Sequence, residues 1–150
     1  MAKTSMELLN KTVVVVVTHD HSRIWTTKSA KGSAPLVIDI QIPQRHLHVR
    51  EAQHHGGHET SQYDAPYFGH IAEVLEPVSE ILLIGHGQGK ANSAQQLLNY
   101  LEKYHPHLSK KVIGLLDENI PALTEQQILE KARHWFSQRF GVPVHYWQAV

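Results

Sequence analysis

The apolar residues of this chain form short β-branched runs at first and helical periods later. The run over residues 12–18 predicts a buried strand, the polar cluster at 19–22 predicts a turn, and residues 23–27 predict a second strand. The chain therefore opens with a predicted hairpin. A third strand is predicted over 36–42 and ends at Pro43.

The second half alternates strands with amphipathic helices. A helical period runs from about Ser61 to Pro77, and an apolar strand follows over 80–84. The next helix, capped by Asn92 or Ser93, ends at the His105-Pro106-His107 cluster. Its predicted inward residues are Leu97, Leu98, Leu101 and Tyr104.

The last elements are a strand over 112–116 and a third helix. A capping box from Thr124 to Gln127 opens this helix, and Gly141 and Pro143 end it. We expect Trp135, Phe136 and Phe140 in the core, and residues 144–147 as a short edge strand or a docked tail.

The order β-β-β-α-β-α-β-α predicts an α/β fold. We expect a mixed five-stranded sheet, built from three antiparallel strands and then two strand–helix units, with about three helices. A length of 150 residues suits a single domain over 1–150, with a flexible N-terminus over 1–11.

Residues 43–60 contain many histidines and glycines and show no clear period. The segment is longer than an ordinary connection of about 4–6 residues, and such loops are usually functional or disordered. Gly56 and Gly57 permit positive φ and close backbone approach, so His58 would be presented to a partner at the loop tip. The alternative is a surface loop whose composition has no function.

Histidines in the same segment raise the question of a metal site. Imidazole binds zinc, copper and nickel, and His54, His55 and His58 are the candidate ligands. The chain has no cysteine, so thiolate sites and disulfides are excluded. Adjacent histidines in a loop rarely point at one ion, and we expect neither a physiological metal nor a cofactor. A second candidate set comprises His46 and His48, with Glu51, Glu59 or Asp64 available to complete either set.

The glycine-rich stretch after the fourth strand has two interpretations. Glycine-rich loops before a helix can bind phosphate, which makes Lys90 a candidate phosphate contact. The full P-loop spacing is missing because Gly85 to Gly89 is too short and Ala91 replaces Ser or Thr. The nucleophile elbow also fails, since Gly87 stands where serine is required. A tight turn leading into a helix is the simpler interpretation.

The cluster His19-Asp20-His21-Ser22 contains the residue types of a Ser–His–Asp triad. Residues so close together in a hairpin turn cannot easily converge on one substrate atom or form an oxyanion hole. We interpret the cluster as turn chemistry.

Charge is distributed unevenly although the formal net charge is zero. Residues 1–58 carry seven Lys/Arg and four Asp/Glu, a balance of +3, and residues 59–150 carry seven and ten, a balance of −3. A weakly basic first part permits a phosphate-bearing partner. No apolar stretch has the length of a signal peptide or a membrane span, so we expect a cytoplasmic protein without a membrane partner.

Five stretches together resemble a known family over about residues 12–140. They are VVVVVTHDHSRIW, LVIDIQI, HHGGHETSQ, ILLIGHGQGKANSAQQLLNYL and KKVIGLLDENIPALTEQQILEKA. Their order resembles the middle domain of the archaeo-eukaryotic release factors and Pelota. It also resembles the short bacterial relatives of that domain, which are described as translational-machinery or host-attachment proteins.

The resemblance implies a role in translation. The family's loop carries Gly-Gly-Gln into the peptidyl-transferase centre, and Gly56 and Gly57 match the two glycines while His58 replaces the glutamine. The resemblance therefore implies binding of the ribosome or tRNA, without the family's peptide release. The implied RNA contacts are Arg45, Arg50, Gly56, Gly57, His58 and Lys90.

Two alternatives stay open at the level of sequence. The first is a hydrolase of peptidyl-tRNA or another ester, with His58 as general base. The second is a histidine-based metal-binding or protein-interaction module. The sequence does not predict an oligomeric state.

Overall fold

The computed structural model describes residues 8–26, 35–39 and 64–143. The described strands are β1 (Thr12–Val17), β2 (His21–Thr26), β3 (Leu36–Asp39), β4 (Glu80–Gly85) and β5 (Val112–Asp117). The described α-helices are α1 (Asp64–Leu75), α2 (Ser93–Tyr104), α3 (Pro106–Ser109) and α4 (Glu125–Phe140). Single 3₁₀ turns precede α2 at Gly89–Ala91 and α4 at Ile120–Ala122.

The five strands form one mixed sheet in the order β3-β2-β1-β4-β5. β1, β2 and β3 pair antiparallel, whereas β4 pairs parallel with both β1 and β5. Val15 in the middle of β1 is opposite Ile24 on one side and Leu83 on the other. The predicted fold class is confirmed.

The central strands β1 and β4 are buried on both faces, which explains their unbroken apolar sequence. Alternate residues belong to different cores because side chains in a strand point to opposite faces. Val15 and Leu83 pack with the helices of one face, and Val16 and Ile84 pack with those of the other.

Helices cover both faces of the sheet. The first face holds α1, α2 and α3, represented by Ile71, Leu97 and Leu108, which are fully buried in one cluster. The second face holds α4, where Ile128 and Phe136 are fully buried in a separate cluster. The connection after β4 therefore leads to one face and the connection after β5 to the other.

Local sequence signals determine where the last helices begin and end. Asn92 caps α2, as one of the two predicted caps. The predicted capping box is present at α4, with Thr124 and Gln127 each accepting a hydrogen bond from the other's backbone. Gly141 ends α4 with φ +70°, a left-handed conformation that glycine adopts without strain.

Several details differ from the prediction. β2 begins at His21, two residues earlier than predicted, because antiparallel pairing extends to Ser22 opposite Val17 in β1 and to His21 opposite Asp39 in β3. After α2, Pro106 does not end helical structure but starts the one-turn helix α3, since proline suits the first helical position.

Two predicted core residues are exposed. Tyr104 is 57% exposed in the last turn of α2, and Leu108 of α3 is buried in the adjoining core instead. Phe140 is 41% exposed and stacks on Phe136 at the end of α4. The predictions for 40–42, 61–63 and 144–147 lie outside the described residues.

None of the described helices is long and apolar enough to cross a membrane.

Candidate functional site

A cavity of about 660 Å³ lies beyond the carboxyl ends of the parallel strands. Three connections surround it: the β1–β2 turn, the segment from β4 to α2, and the segment from β5 to α4. The last two diverge to opposite faces of the sheet, which makes this edge a topological switch point. Ligands of open α/β sheets bind in crevices at such points.

The described lining combines aliphatic and polar side chains. The aliphatic and glycine positions are Val17, Gly87, Ala91, Ile120, Pro121 and Leu123. The polar positions are Thr18, His19, Asp20, His21, Arg23, His86 and Ser93. A mostly apolar cavity with a few polar groups is typical of small-molecule sites.

The β1–β2 turn is held together by Thr18. Its hydroxyl lies 2.9 Å from both Asp20 Oδ1 and the carbonyl of His21, and accepts from the His21 amide at 3.3 Å. Asp20 Oδ1 also lies 3.0 Å from His21 Nδ1. Burial raises the pKa of the Asp20 carboxyl, but its hydrogen bonds with His21 and Thr18 outweigh burial and hold the pKa below its usual value.

No triad forms within the cluster at 19–22. The hydroxyl of Ser22 is hydrogen-bonded to Tyr67 at 2.5 Å on the face of the sheet that holds α1, α2 and α3. Asp20 and His21 bond to each other as sequence neighbours. These contacts support the interpretation of the cluster as turn chemistry.

A serine–histidine contact does exist across the cavity, between Ser93 and His19. Ser93 Oγ lies 3.0 Å from His19 Nδ1, a separation at which a histidine can accept a nucleophile's proton. The nearest amides of α2 cannot stabilise an oxyanion, because those of Ala94 and Gln95 donate to Asn92 Oδ1 at 2.9 and 3.2 Å. The contact therefore resembles a structural link between the hairpin and α2 more than a catalytic dyad.

The glycine-rich turn is occupied by contacts within the protein. The amide of Gly87 donates to Asp117 Oδ1 at 2.9 Å, and the side-chain amide of Asn92 donates to the carbonyl of Gly87 at 3.1 Å. A carboxylate already occupies the position an anion would take. These contacts favour the tight-turn interpretation over a phosphate cradle.

His86 and Arg23 add donors at the cavity. His86 Nδ1 lies 3.0 Å from the carbonyl of Glu118. Arg23 Nη1 donates to Glu125 at 3.2 Å, and the guanidinium lies 5.7 Å from the ring centre of Trp25. The Arg23 side chain is only 15% exposed, so its charge is held in place at the wall.

Most residues predicted from the sequence as site residues lie outside the described ranges. These are Arg45, His46, His48, Arg50, His54, His55, Gly56, Gly57 and His58. Lys90 lies in the 3₁₀ turn Gly89–Ala91, close in sequence to cavity residues Gly87 and Ala91. Within the described ranges, no group of three or more His, Asp or Glu side chains is placed to hold a metal ion.

The cavity residues were not predictable as a group from sequence motifs. His19 stands 74 residues before Ser93, and no sequence motif links it to His86 or Ser93. One signal was available, because each follows a strand that pairs in parallel, and the carboxyl ends of such strands meet at one edge.

Comparison with known proteins finds similarity only among solved structures. No family model matches the sequence, and no curated protein does. The chain is similar to Pelota of Archaeoglobus fulgidus, with 12% identity and a TM-score of 0.48 over 93% of this chain and 38% of that one. It is also similar to the archaeal translation termination factor aRF1, with 15% identity and a TM-score of 0.36 over 91% and 41% of the two chains. This chain thus spans less than half the length of either protein.

Proposed function

We propose that this chain is a cytoplasmic, translation-associated protein that binds the ribosome or tRNA through residues 43–60. The observation that supports the proposal is the order of elements. The described elements run β1-β2-β3-α1-β4-α2-α3-β5-α4, and the five family-like stretches of sequence follow that order. The segment with Gly56-Gly57-His58 falls between β3 and α1.

The residue types of this segment suit contact with RNA. Arg45 and Arg50 would neutralise phosphates, and Gly56 and Gly57 would allow the backbone to approach closely. Because His58 stands in place of the family's glutamine, binding without peptide release is the expected activity. Lys90, in the turn before α2, is a further candidate phosphate contact.

Sedimentation through sucrose gradients tests the proposal. Untagged protein should co-sediment with ribosomes at low salt, and the triple variant Gly56→Ala/Gly57→Ala/His58→Ala should remain at the top of the gradient. The control is His70→Ala/His134→Ala, which removes two exposed histidines from α1 and α4. Absence of wild-type protein from the ribosomal fractions at low salt would refute the proposal.

The contribution of Arg45 and Arg50 can be tested separately through the salt dependence of binding. Each phosphate contact to a single strand contributes about 0.7 to the slope of log affinity against log salt. Arg45→Gln/Arg50→Gln should therefore reduce the slope by about 1.4 if both contact phosphate. An unchanged slope with retained binding would mean that these arginines do not touch the RNA.

A further inference from the structure

The cavity at the carboxyl edge of the sheet is lined by polar side chains that the fold holds in place. Some of their hydrogen-bonding atoms have no partner among the described residues. His21 and His86 are each anchored through Nδ1, to the Asp20 carboxylate and to the carbonyl of Glu118. A carbonyl can only accept, so Nδ1 of His86 carries a hydrogen. Among the described residues, Nε2 of neither ring has a hydrogen-bond partner, and both residues line the cavity.

The guanidinium of Arg23 also has nitrogen atoms without a hydrogen-bond partner among the described residues. Within the described ranges, only its Nη1 atom has a hydrogen-bond partner, Glu125, while Nε is buried without one. A fixed guanidinium beside imidazoles suits a phosphate or a carboxylate. The one acid among the described lining residues, Asp20, is already bonded to His21.

The remaining lining fits an apolar body rather than a bare ion. Val17, Ile120, Pro121 and Leu123 contribute aliphatic surface, and about 660 Å³ is far more than an inorganic anion fills. Ligand cavities that bury drug-sized molecules measure roughly 300–1,000 Å³.

We propose that this cavity binds an organic anion with a flat aromatic ring, of the chemical class of a nucleoside monophosphate. The ring lies against Ile120, Pro121 and Leu123. The anionic group is held by Arg23 and by the imidazolium forms of His21 and His86, in which Nε2 also carries a hydrogen and donates. The ligand is either a free nucleotide or one nucleotide of an RNA chain. The inference does not depend on residues 43–60 or on ribosome binding.

Calorimetric titration of the full chain with AMP, adenosine and inorganic phosphate tests the proposal. AMP should bind at least about tenfold more tightly than adenosine or inorganic phosphate, because AMP contacts both the apolar and the cationic groups of the cavity. If a single-stranded adenosine trinucleotide displaces AMP, the natural ligand is one nucleotide of an RNA chain. If it does not displace AMP, the natural ligand is a free nucleotide. AMP binding no tighter than phosphate would overturn the proposal.

Two variants locate the binding within the cavity. His86→Ala should weaken AMP binding about tenfold, the value of one hydrogen bond to a charged group. Ala91→Glu places a carboxylate at an exposed lining position and should weaken AMP binding more than tenfold. The matched controls are His134→Ala on α4 and Ala65→Glu on α1, both exposed positions that do not line this cavity. Equal loss of affinity in variants and controls would refute the assignment.

Discussion

Gly85 at the end of β4 offers the most direct test of how the cavity edge is built. A Cβ atom at this position would overlap Asn92 Oδ1 and would lie 2.7 Å from both Asn92 Cγ and the Cβ of Ala94. Asn92 is 2% exposed and caps α2 while also bonding to Gly87. Gly85→Ala must therefore displace the cap.

The magnitude follows from the contacts that would be lost. Loss of an Asn cap costs about 1 kcal/mol, and a buried polar group left without a partner costs about 1–3 kcal/mol. We expect Gly85→Ala to lower the free energy of unfolding by about 2–4 kcal/mol. At about 2–4 °C per kcal/mol for a chain of this size, Tm should fall by roughly 4–16 °C.

Urea denaturation followed by circular dichroism, on a double-mutant cycle with Asn92→Ala, isolates the mechanism. Asn92→Ala alone should cost about 1–2 kcal/mol, and it should also relieve much of the overlap in the double variant. The stability losses of the two single variants should therefore sum to more than the stability loss of the double variant, by about 1 kcal/mol or more. Single-variant losses that add up to the loss of the double variant would refute the overlap between the added Cβ and Asn92.

A second glycine serves as control for the substitution itself. Gly69 lies in α1, where an added Cβ would come no closer than 3.4 Å to Tyr100. Gly69→Ala should be neutral or stabilising by up to about 1 kcal/mol, because alanine favours helix. A destabilisation equal to that of Gly85→Ala would show that the cap is not the cause.

Three further changes test other parts of the structure by urea denaturation. Gly114→Ala should cost about 1–3 kcal/mol by overlap with Trp135, and Trp135→Leu should recover part of the loss. Thr124→Ala should cost about 1 kcal/mol by removing the capping box of α4, and an unchanged stability would contradict its role. Asp20→Asn should cost less than about 1 kcal/mol at pH 7, since the pair with His21 is largely exposed. Because the pKa of Asp20 is lowered, the difference should vanish as the pH falls below the folded pKa, and its persistence there would refute the assignment.

The order of elements was predictable because each signal is local. The β-branched run of β1 and the capping box of α4 are recognised within a few residues and need no knowledge of the partner strand. The boundary of β2 was not predictable in this way, because His21 joins the strand by pairing with Asp39 of β3 and not through its own propensity. The prediction of buried residues failed at Tyr104 and Phe140, whose periodic positions at the ends of α2 and α4 extend past the core.

The grouping of the cavity residues depends on register, which no local pattern contains. β1 and β4 pair in parallel with Val16 opposite Ile84, so the chain beyond Val17 and the chain beyond Gly85 emerge side by side. This pairing brings His19 within hydrogen-bonding distance of Ser93, 74 residues later. A prediction of parallel pairing therefore already implies that the polar residues after these strands meet at one edge. Applying that geometric rule to every predicted parallel strand would have identified this edge, where a search for sequence motifs did not.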